Sequence, residues 1–379
     1  MTGSGTINDP YIIYNVTDLQ AVQNNLTAYY ELANNIDASA TSGWNGGLGF
    51  VPIGFGHPQT NPFLGQFDGK EYTIDSLFIN RPTADFVGLF GSTSVAESVV
   101  LIKNIKLTNA NITGRSFVGA LVGNSWAGIK NCSSTGSITG NGLYGIGGLV
   151  GYLIKDSEEL WSSCTVTATA CDEEAGGLTG LVNQIVRKSY AIGNVTTNNT
   201  CKYVGGFAGR VSGECHDCYA RGNATGGQFV GGFCGENDGA IENCYSTGVP
   251  TGTTDVGGFC GENLQTITDC FWDIQTSGQS SSDGGTGKTT AEMKTLSTFL
   301  AVGWDISASI WLLIPECNNG YPCLWNITPS CALILPVIYP PYELTALEAL
   351  RNIEMSAAGR VYVDETGKLK YESRYARNP

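Results

Sequence analysis

Charge is scarce in this chain: 20 Lys+Arg and 34 Asp+Glu make up 14% of 379 residues, well below the usual quarter. That shortage excludes coiled coils and charge-rich disordered tails, which depend on dense charged positions. Basic residues are the rarer kind, and the net charge of −14 argues against nucleic-acid partners, whose binding rests on clustered Lys and Arg. No run of 18 apolar residues occurs, so no membrane-spanning helix is expected. Met1-Thr-Gly-Ser-Gly-Thr lacks the basic and apolar regions of a secretory signal, so either a signal has been removed or the chain reaches its destination by another route. Helical periodicity long enough for a crossover helix is missing from the central region, which argues against helical bundles and α/β sheets.

Glycine, by contrast, is plentiful at 51 residues, and it is ordered. A block reading Val-Gly-Gly-Leu/Phe-x-Gly recurs seven times, ending at Gly91, Gly123, Gly151, Gly180, Gly209, Gly235 and Gly261, with spacings of 32, 28, 29, 29, 26 and 26 residues. A second block follows at a fixed offset: Cys132, Cys218, Cys244 and Cys270 each lie nine residues after the last glycine, preceded by Asn or Asp. Ser189 holds that place after Gly180, while Cys164 lies at thirteen after Gly151, which implies an insertion near Lys155 to Glu159.

Each repeat offers short β-prone runs separated by Gly, Asn and Asp. Strands this short bury both faces only if successive repeats stack. The fold class expected is therefore all-β: a right-handed parallel β-helix with a small C-terminal helix plus β-hairpin, the glycines sitting at corners that need positive φ or close backbone approach. Blades of a β-propeller, the rival, usually need about 40 residues. The expected divisions are N-terminal coils over 1–92, the repeats over 93–285, a closing segment over 286–335, and a Pro-rich linker with helix and hairpin over 336–379.

The repeat resembles the GLUG-motif family, named for a Gly-Leu-x-Gly block such as Gly148-Leu149-Val150-Gly151. Flanks such as Phe63-Leu64-Gly65-Gln66-Phe67-Asp68-Gly69 and Cys270-Phe271-Trp272-Asp273 are similar to its opening and closing segments, so the resemblance covers about residues 3 to 327. It implies a β-helix of bacterial and archaeal surface proteins, occurring also beside immunoglobulin-A-cleaving metallopeptidases, and mostly adhesive or spacer modules. The zinc helix of those peptidases, His-Glu-x-x-His, does not carry over: the two histidines, His57 and His216, are far apart.

Several residue sets invite chemistry. Stacking brings Glu236 and Glu262, both in Gly-Glu-Asn, close together as a like-charge pair: a raised-pKa acid, a calcium ligand pair or a retaining glycosidase couple. The neighbouring Asn237 and Asn263, with Asn124, read as a corner amide ladder. Tyr190, Tyr219, Tyr245 and Phe271 form one column beside the cysteines. Because side chains alternate across a strand, this column is either exposed, as a binding stripe for sugar or a partner surface, or an aromatic core ladder with the cysteines outside. Glu214-Cys215-His216-Asp217-Cys218 holds metal-ligand types without a second ligand pair, so it reads as a loop. Gly284 to Thr290 lacks the first P-loop glycine, with Ser282 in its place, and reads as a flexible turn. No metal or cofactor is expected.

Cys317 and Cys323, flanking a turn, are the disulfide candidates. Stacked pairs such as Cys218/Cys244 and Cys234/Cys260 keep their Cβ atoms apart and read as buried thiols. Sequons at Asn15, Asn25, Asn111, Asn131, Asn194, Asn198, Asn223 and Asn326 fit a glycosylated extracellular surface. Residues 343–379 hold 12 of the 54 charged residues and read as an amphipathic helix over Tyr342 to Ser356, then a hairpin across Asp364-Glu365-Thr366-Gly367. This piece faintly resembles tail proteins of tailed viruses. The function expected is a non-enzymatic adhesive or structural module of a cell surface or virus particle, extracellular or virion-borne. It would recognise glycan or protein and attach to a parent assembly through 342–379, with homo-oligomers allowed. The alternative is a polysaccharide lyase or hydrolase using Glu236 and Glu262.

Overall fold

The computed structural model describes residues 1–56, 60–94, 101–307, 309–315 and 317–325, together with the backbone of 359–363 and 369–373. These fall into two compact units, 1–302 and 303–379. The first is a parallel β-helix. Its longest sheet stacks Tyr11–Ile13, Tyr29–Leu32, Gln66–Asp68 and Leu101–Lys103, then the strands that begin at Gly128, Ser157, Ile185, Glu214, Ala240 and Thr266, each paired in parallel with the next. Ten rungs give nine steps of about 4.8 Å, a stack on the order of 43 Å.

The glycine block forms separate sheets. Its first residues make one sheet, from Ile146–Gly147 to Val256–Gly257, and its last residues begin the strands of a seven-stranded sheet, from Phe90–Ser92 to Cys260–Asn263. The block's glycines are required by close approach. A Cβ on Gly206 would lie 2.3 Å from the carbonyl oxygen of Gly232, and one on Gly177 would lie 2.2 Å from that of Gly206.

The positive-φ corner lies elsewhere, at the residue before the Cys/Ser column. Asn104, Asn131, Glu159, Lys188, Asp217, Asn243 and Asp269 all have φ between 48° and 59°. Asn and Asp dominate there because their short polar side chains tolerate the left-handed region best among residues with a Cβ. The column has no insertion: Cys132 pairs with Leu160, and Trp161 with Tyr190. Leu160 thus holds the ninth place, and the insertion expected near Lys155 to Glu159 does not exist.

The interior is continuous from Ile13 to Trp272, with Val, Ile, Leu and Phe joined by fully buried Cys215, Cys218, Cys244, Cys234 and Cys260. Phe207, Phe233 and Phe259 stack at 4.7 and 4.9 Å. Gly284 to Thr290 is no flexible turn. Thr286–Lys288 pairs in parallel with Phe271–Asp273 as the closing strand, and Thr289 caps the helix Thr290–Met293 in a capping box with Glu292.

In the second unit Trp311–Leu312 pairs antiparallel with Cys323–Leu324. The hairpin expected near the C-terminus is present, Gly359–Val363 against Leu369–Ser373. The helix expected over Tyr342 to Ser356 lies outside the described residues, as do His57 and Asn326.

Candidate functional site

One column of the solenoid wall immediately precedes the glycine block: Phe86, Phe117, Gly145, Glu174, Tyr203 and Phe229. The phenylalanine rings of Phe86 and Phe117 stack at 4.8 Å, and those of Tyr203 and Phe229 at 5.6 Å. Between them Gly145, at φ 63°, leaves the space that the Tyr152 ring fills: a Cβ there would lie 2.6 Å from Tyr152 Cε1. Tyr152 in turn meets Phe117 edge-on at 4.8 Å. Phe86 and Phe117 hold φ values of 59° and 56°, an unfavourable backbone state for bulky residues. Strain of this kind persists where surroundings over-determine it and points to function. All of these rings are half-buried, and Tyr144 beside them is exposed.

Beneath the rings runs a polar network. The Tyr152 hydroxyl donates to Glu174 Oε2 at 2.7 Å, and Glu174 is only 3% exposed. Burial pushes the Glu174 carboxyl up to about 7, against the pull of the Tyr152 hydrogen bond. Burial likewise raises Tyr203 to about 12, helped by its neighbour Glu236. Arg210 lies over the Tyr203 ring at 5.8 Å. Its Nε is 2.7 Å from Glu236 Oε1, an ion pair without hydrogen-bond alignment, while its terminal nitrogen donates to Asp238.

Glu236 and Glu262 do share a register, as the repeat spacing implies. Their environments differ. Glu236 is 4% exposed, with its carboxyl raised by burial and lowered by Arg210, whereas Glu262 is half-buried. A carboxylate already occupied by Arg210 and Tyr203 is poorly placed to reach a substrate. The amide ladder holds for Asn237 and Asn263, joined at 2.8 Å. Asn124 falls one position away, in the column of Tyr152, Arg210 and Glu236.

The stripe of Tyr190, Tyr219, Tyr245 and Phe271 is not an available binding surface. Cys218 and Ala220 belong to the interior, so Tyr219 between them leaves on the other side of the strand. It is nonetheless 1% exposed, and its neighbours in the column are equally buried. Both faces of this segment are therefore covered. Trp161 extends the stack at 5.6 Å from Tyr190, and Phe299 closes it edge-on against Phe271, also at 5.6 Å.

Cys317 and Cys323 do not bridge each other: Cys323 is a buried thiol outside any disulfide, and Cys317 is disulfide-bonded to another cysteine. A bridge missed in the sequence joins Cys171 to Cys201, with Cα atoms 4.8 Å apart. Both lie outside strands, where Cβ vectors are free of the parallel alignment that keeps stacked strand cysteines apart. Cys218, Cys244 and Cys270 are free buried thiols, with the Cys218 and Cys244 backbone amides donating to the next sulfur at 3.3 and 3.4 Å.

His216 lies on the strand Glu214–Ala220, not on a loop, with its ring nitrogens 2.9 Å from Glu214 and 3.3 Å from Glu242. Among the described residues no group of three His, Cys, Asp or Glu is placed to hold a metal. Of the sequon asparagines, Asn15, Asn25, Asn111, Asn194 and Asn223 are exposed. Asn131 and Asn198 are half-buried, and the Asn131 amide donates to Asn104 Oδ1 at 2.9 Å.

The fold is that of a parallel β-helix repeat module. Residues 226–251 match the family described as "The GLUG motif". The chain is 40% identical over 159 residues to halomucin of Haloquadratum walsbyi, a match covering 41% of this chain and 2% of halomucin. It is 31% identical over 218 residues to an immunoglobulin A1 protease of Streptococcus sanguinis, covering 54% of this chain and 11% of the protease. The chain thus spans only a small fraction of these relatives. A crystal structure of a candidate immunoglobulin A1 protease from Bacteroides ovatus aligns with a TM-score of 0.53 at 19% identity, over 85% of this chain and 94% of that one; this likeness concerns the fold alone. Among the described residues no helix is long and apolar enough to cross a membrane.

Proposed function

We propose that the chain is a non-enzymatic, surface-displayed β-helix module, adhesive or structural, that holds a glycan or protein ligand against its flank. The observation that carries this is the half-buried aromatic column Phe86, Phe117, Tyr152, Tyr203 and Phe229, two members of which sit in strained backbone. Half-buried aromatic rings suit sugar rings and apolar side chains alike. Display outside the cell follows from the resemblance to halomucin and to immunoglobulin A1 proteases, which outweighs the virion alternative, and exposed sequons fit it. Residues 342–379 are proposed to attach the module to a parent assembly or to a second copy.

The test is binding of the purified chain to cells, a glycan array and surface proteins, with Phe117→Ala/Tyr203→Ala as comparison. A tenfold or greater loss in the variant supports the reading; no binding by the wild-type chain to any of the three refutes it. One observation favours a second reading, a polysaccharide-degrading enzyme: the Glu174 carboxyl titrates near neutrality beside the Arg210–Glu236 pair. New reducing ends or unsaturated products from a polysaccharide panel, abolished in Glu174→Gln, would establish the enzyme instead.

A further inference from the structure

A cavity of about 340 Å³ opens near the N-terminal end of the solenoid, lined by Gln20, Gln23, Trp44, Asn45 and Val51. None of these residues belongs to the glycine-block wall. The cavity is held by specific local structure. Gln20, in the helix Val16–Ala21, donates its amide to the Val51 carbonyl at 2.9 Å and accepts from the Val51 amide at 2.8 Å. This two-point clamp fastens the helix to the loop carrying Trp44. The Trp44 ring stacks on fully buried Phe50 at 6.4 Å, 20° from parallel, so it is backed by the core while remaining half-exposed.

The backbone then turns through Asn45, Gly46, Gly47 and Gly49, with φ values of 53°, 65°, 89° and 78°. The Asn45 amide nitrogen donates to the Gly49 carbonyl at 2.7 Å. That bond fixes the side chain and leaves its carbonyl oxygen as an acceptor. Gln23 is exposed at the rim, with an amide that can both donate and accept.

The lining therefore combines one anchored aromatic face, neutral amides and no ionisable group, in a volume near the lower end for small-ligand sites. We infer that this cavity is a binding site for a neutral pyranose, with the sugar's C–H face on Trp44 and its hydroxyls on Asn45 and Gln23. Amides answer hydroxyls in either hydrogen-bond sense, whereas a uronic or sialic acid would bring a carboxylate against lining residues that, among those described, carry no cation, on a chain of net charge −14. The inference rests on the ligand-binding reading above but places a glycan contact at a separate location.

The test uses the full chain with a panel of neutral methyl glycosides, methyl glucuronide and N-acetylneuraminic acid, read by saturation-transfer NMR and titration, alongside a glycan array. At least one neutral glycoside should bind with a Kd in the millimolar range, and the two acids should not. Trp44→Ala should weaken binding at least tenfold and Trp44→Phe much less. Asn45→Gly, which keeps the left-handed backbone while removing the amide, and Gln23→Ala should each weaken it severalfold. Unchanged neutral-glycoside binding in both Trp44→Ala and Asn45→Gly overturns the cavity assignment while leaving the module's ligand binding intact, and so does wild-type array binding without any response to the neutral glycosides. A wild-type chain that binds nothing overturns both.

Discussion

Glu174 allows a quantitative test of the wall's electrostatics. Its carboxyl sits near pH 7 in the folded chain against an ordinary value of 4.5, raised chiefly by burial. A raised carboxyl pKa means the folded state holds a proton that the unfolded chain releases between those values. The resulting stability is fully present below about pH 4.5 and is lost as pH rises through about 7. At 1.36 kcal/mol per pKa unit the full effect is about 3 kcal/mol, most of which falls between pH 5 and pH 8. Glu174→Gln keeps an oxygen for the Tyr152 hydroxyl and cannot ionise. The variant should therefore gain on the wild type as pH rises, by about 4 °C in Tm between pH 5 and 8 for a unit the size of 1–302, at about 2.1 cal/mol/K per residue. Thermal melts of both proteins at half-unit pH steps measure it, and taking the difference cancels every other titrating group. A difference that stays flat across that range would refute the burial of an ionisable Glu174.

Two further outcomes follow from the packing. Gly206→Ala should destabilise the solenoid by several kcal/mol, because the new methyl would sit 2.3 Å from the Gly232 carbonyl; Gly43→Ala, with nothing within 4 Å, should change stability by less than about 0.5 kcal/mol in the same denaturation assay. Removing the Cys171–Cys201 bridge, which spans 30 residues, by a double Cys→Ala change should cost about 3–4 kcal/mol on chain-entropy grounds, and treating the wild-type protein with a reductant should lower its Tm in the same direction.

What the sequence made legible is what repeats at fixed spacing. The stacking axis, the shared register of Glu236 and Glu262, and the buried thiol column all follow from intervals of 26 to 32 residues. Features away from the repeated strand blocks were hidden. Cys171 and Cys201 lie in connections between strands, and Trp44 with its loop lies in an N-terminal coil that carries no glycine block. The Phe86, Phe117, Tyr203 and Phe229 column does repeat, one residue before the block. Gly145 and Glu174 interrupt it and mask its periodicity in the sequence, and those interruptions are where Tyr152 and the buried carboxyl enter.

The aromatic stripe beside the cysteines is buried, as the core-ladder reading expects, but with the cysteines inside as well. Period-two alternation identifies which residues lie on opposite faces of a strand, but says nothing about whether either face meets water. The left-handed residue at Asp217 resets the alternation within the strand Glu214–Ala220, so that Cys215 and Cys218, three positions apart, both enter the interior. With that phase fixed, Tyr219 must leave on the outer side. Its burial there makes the stripe a second layer of core, and aromatic rings remain half-exposed where they line other walls, as at Phe117 and Tyr203.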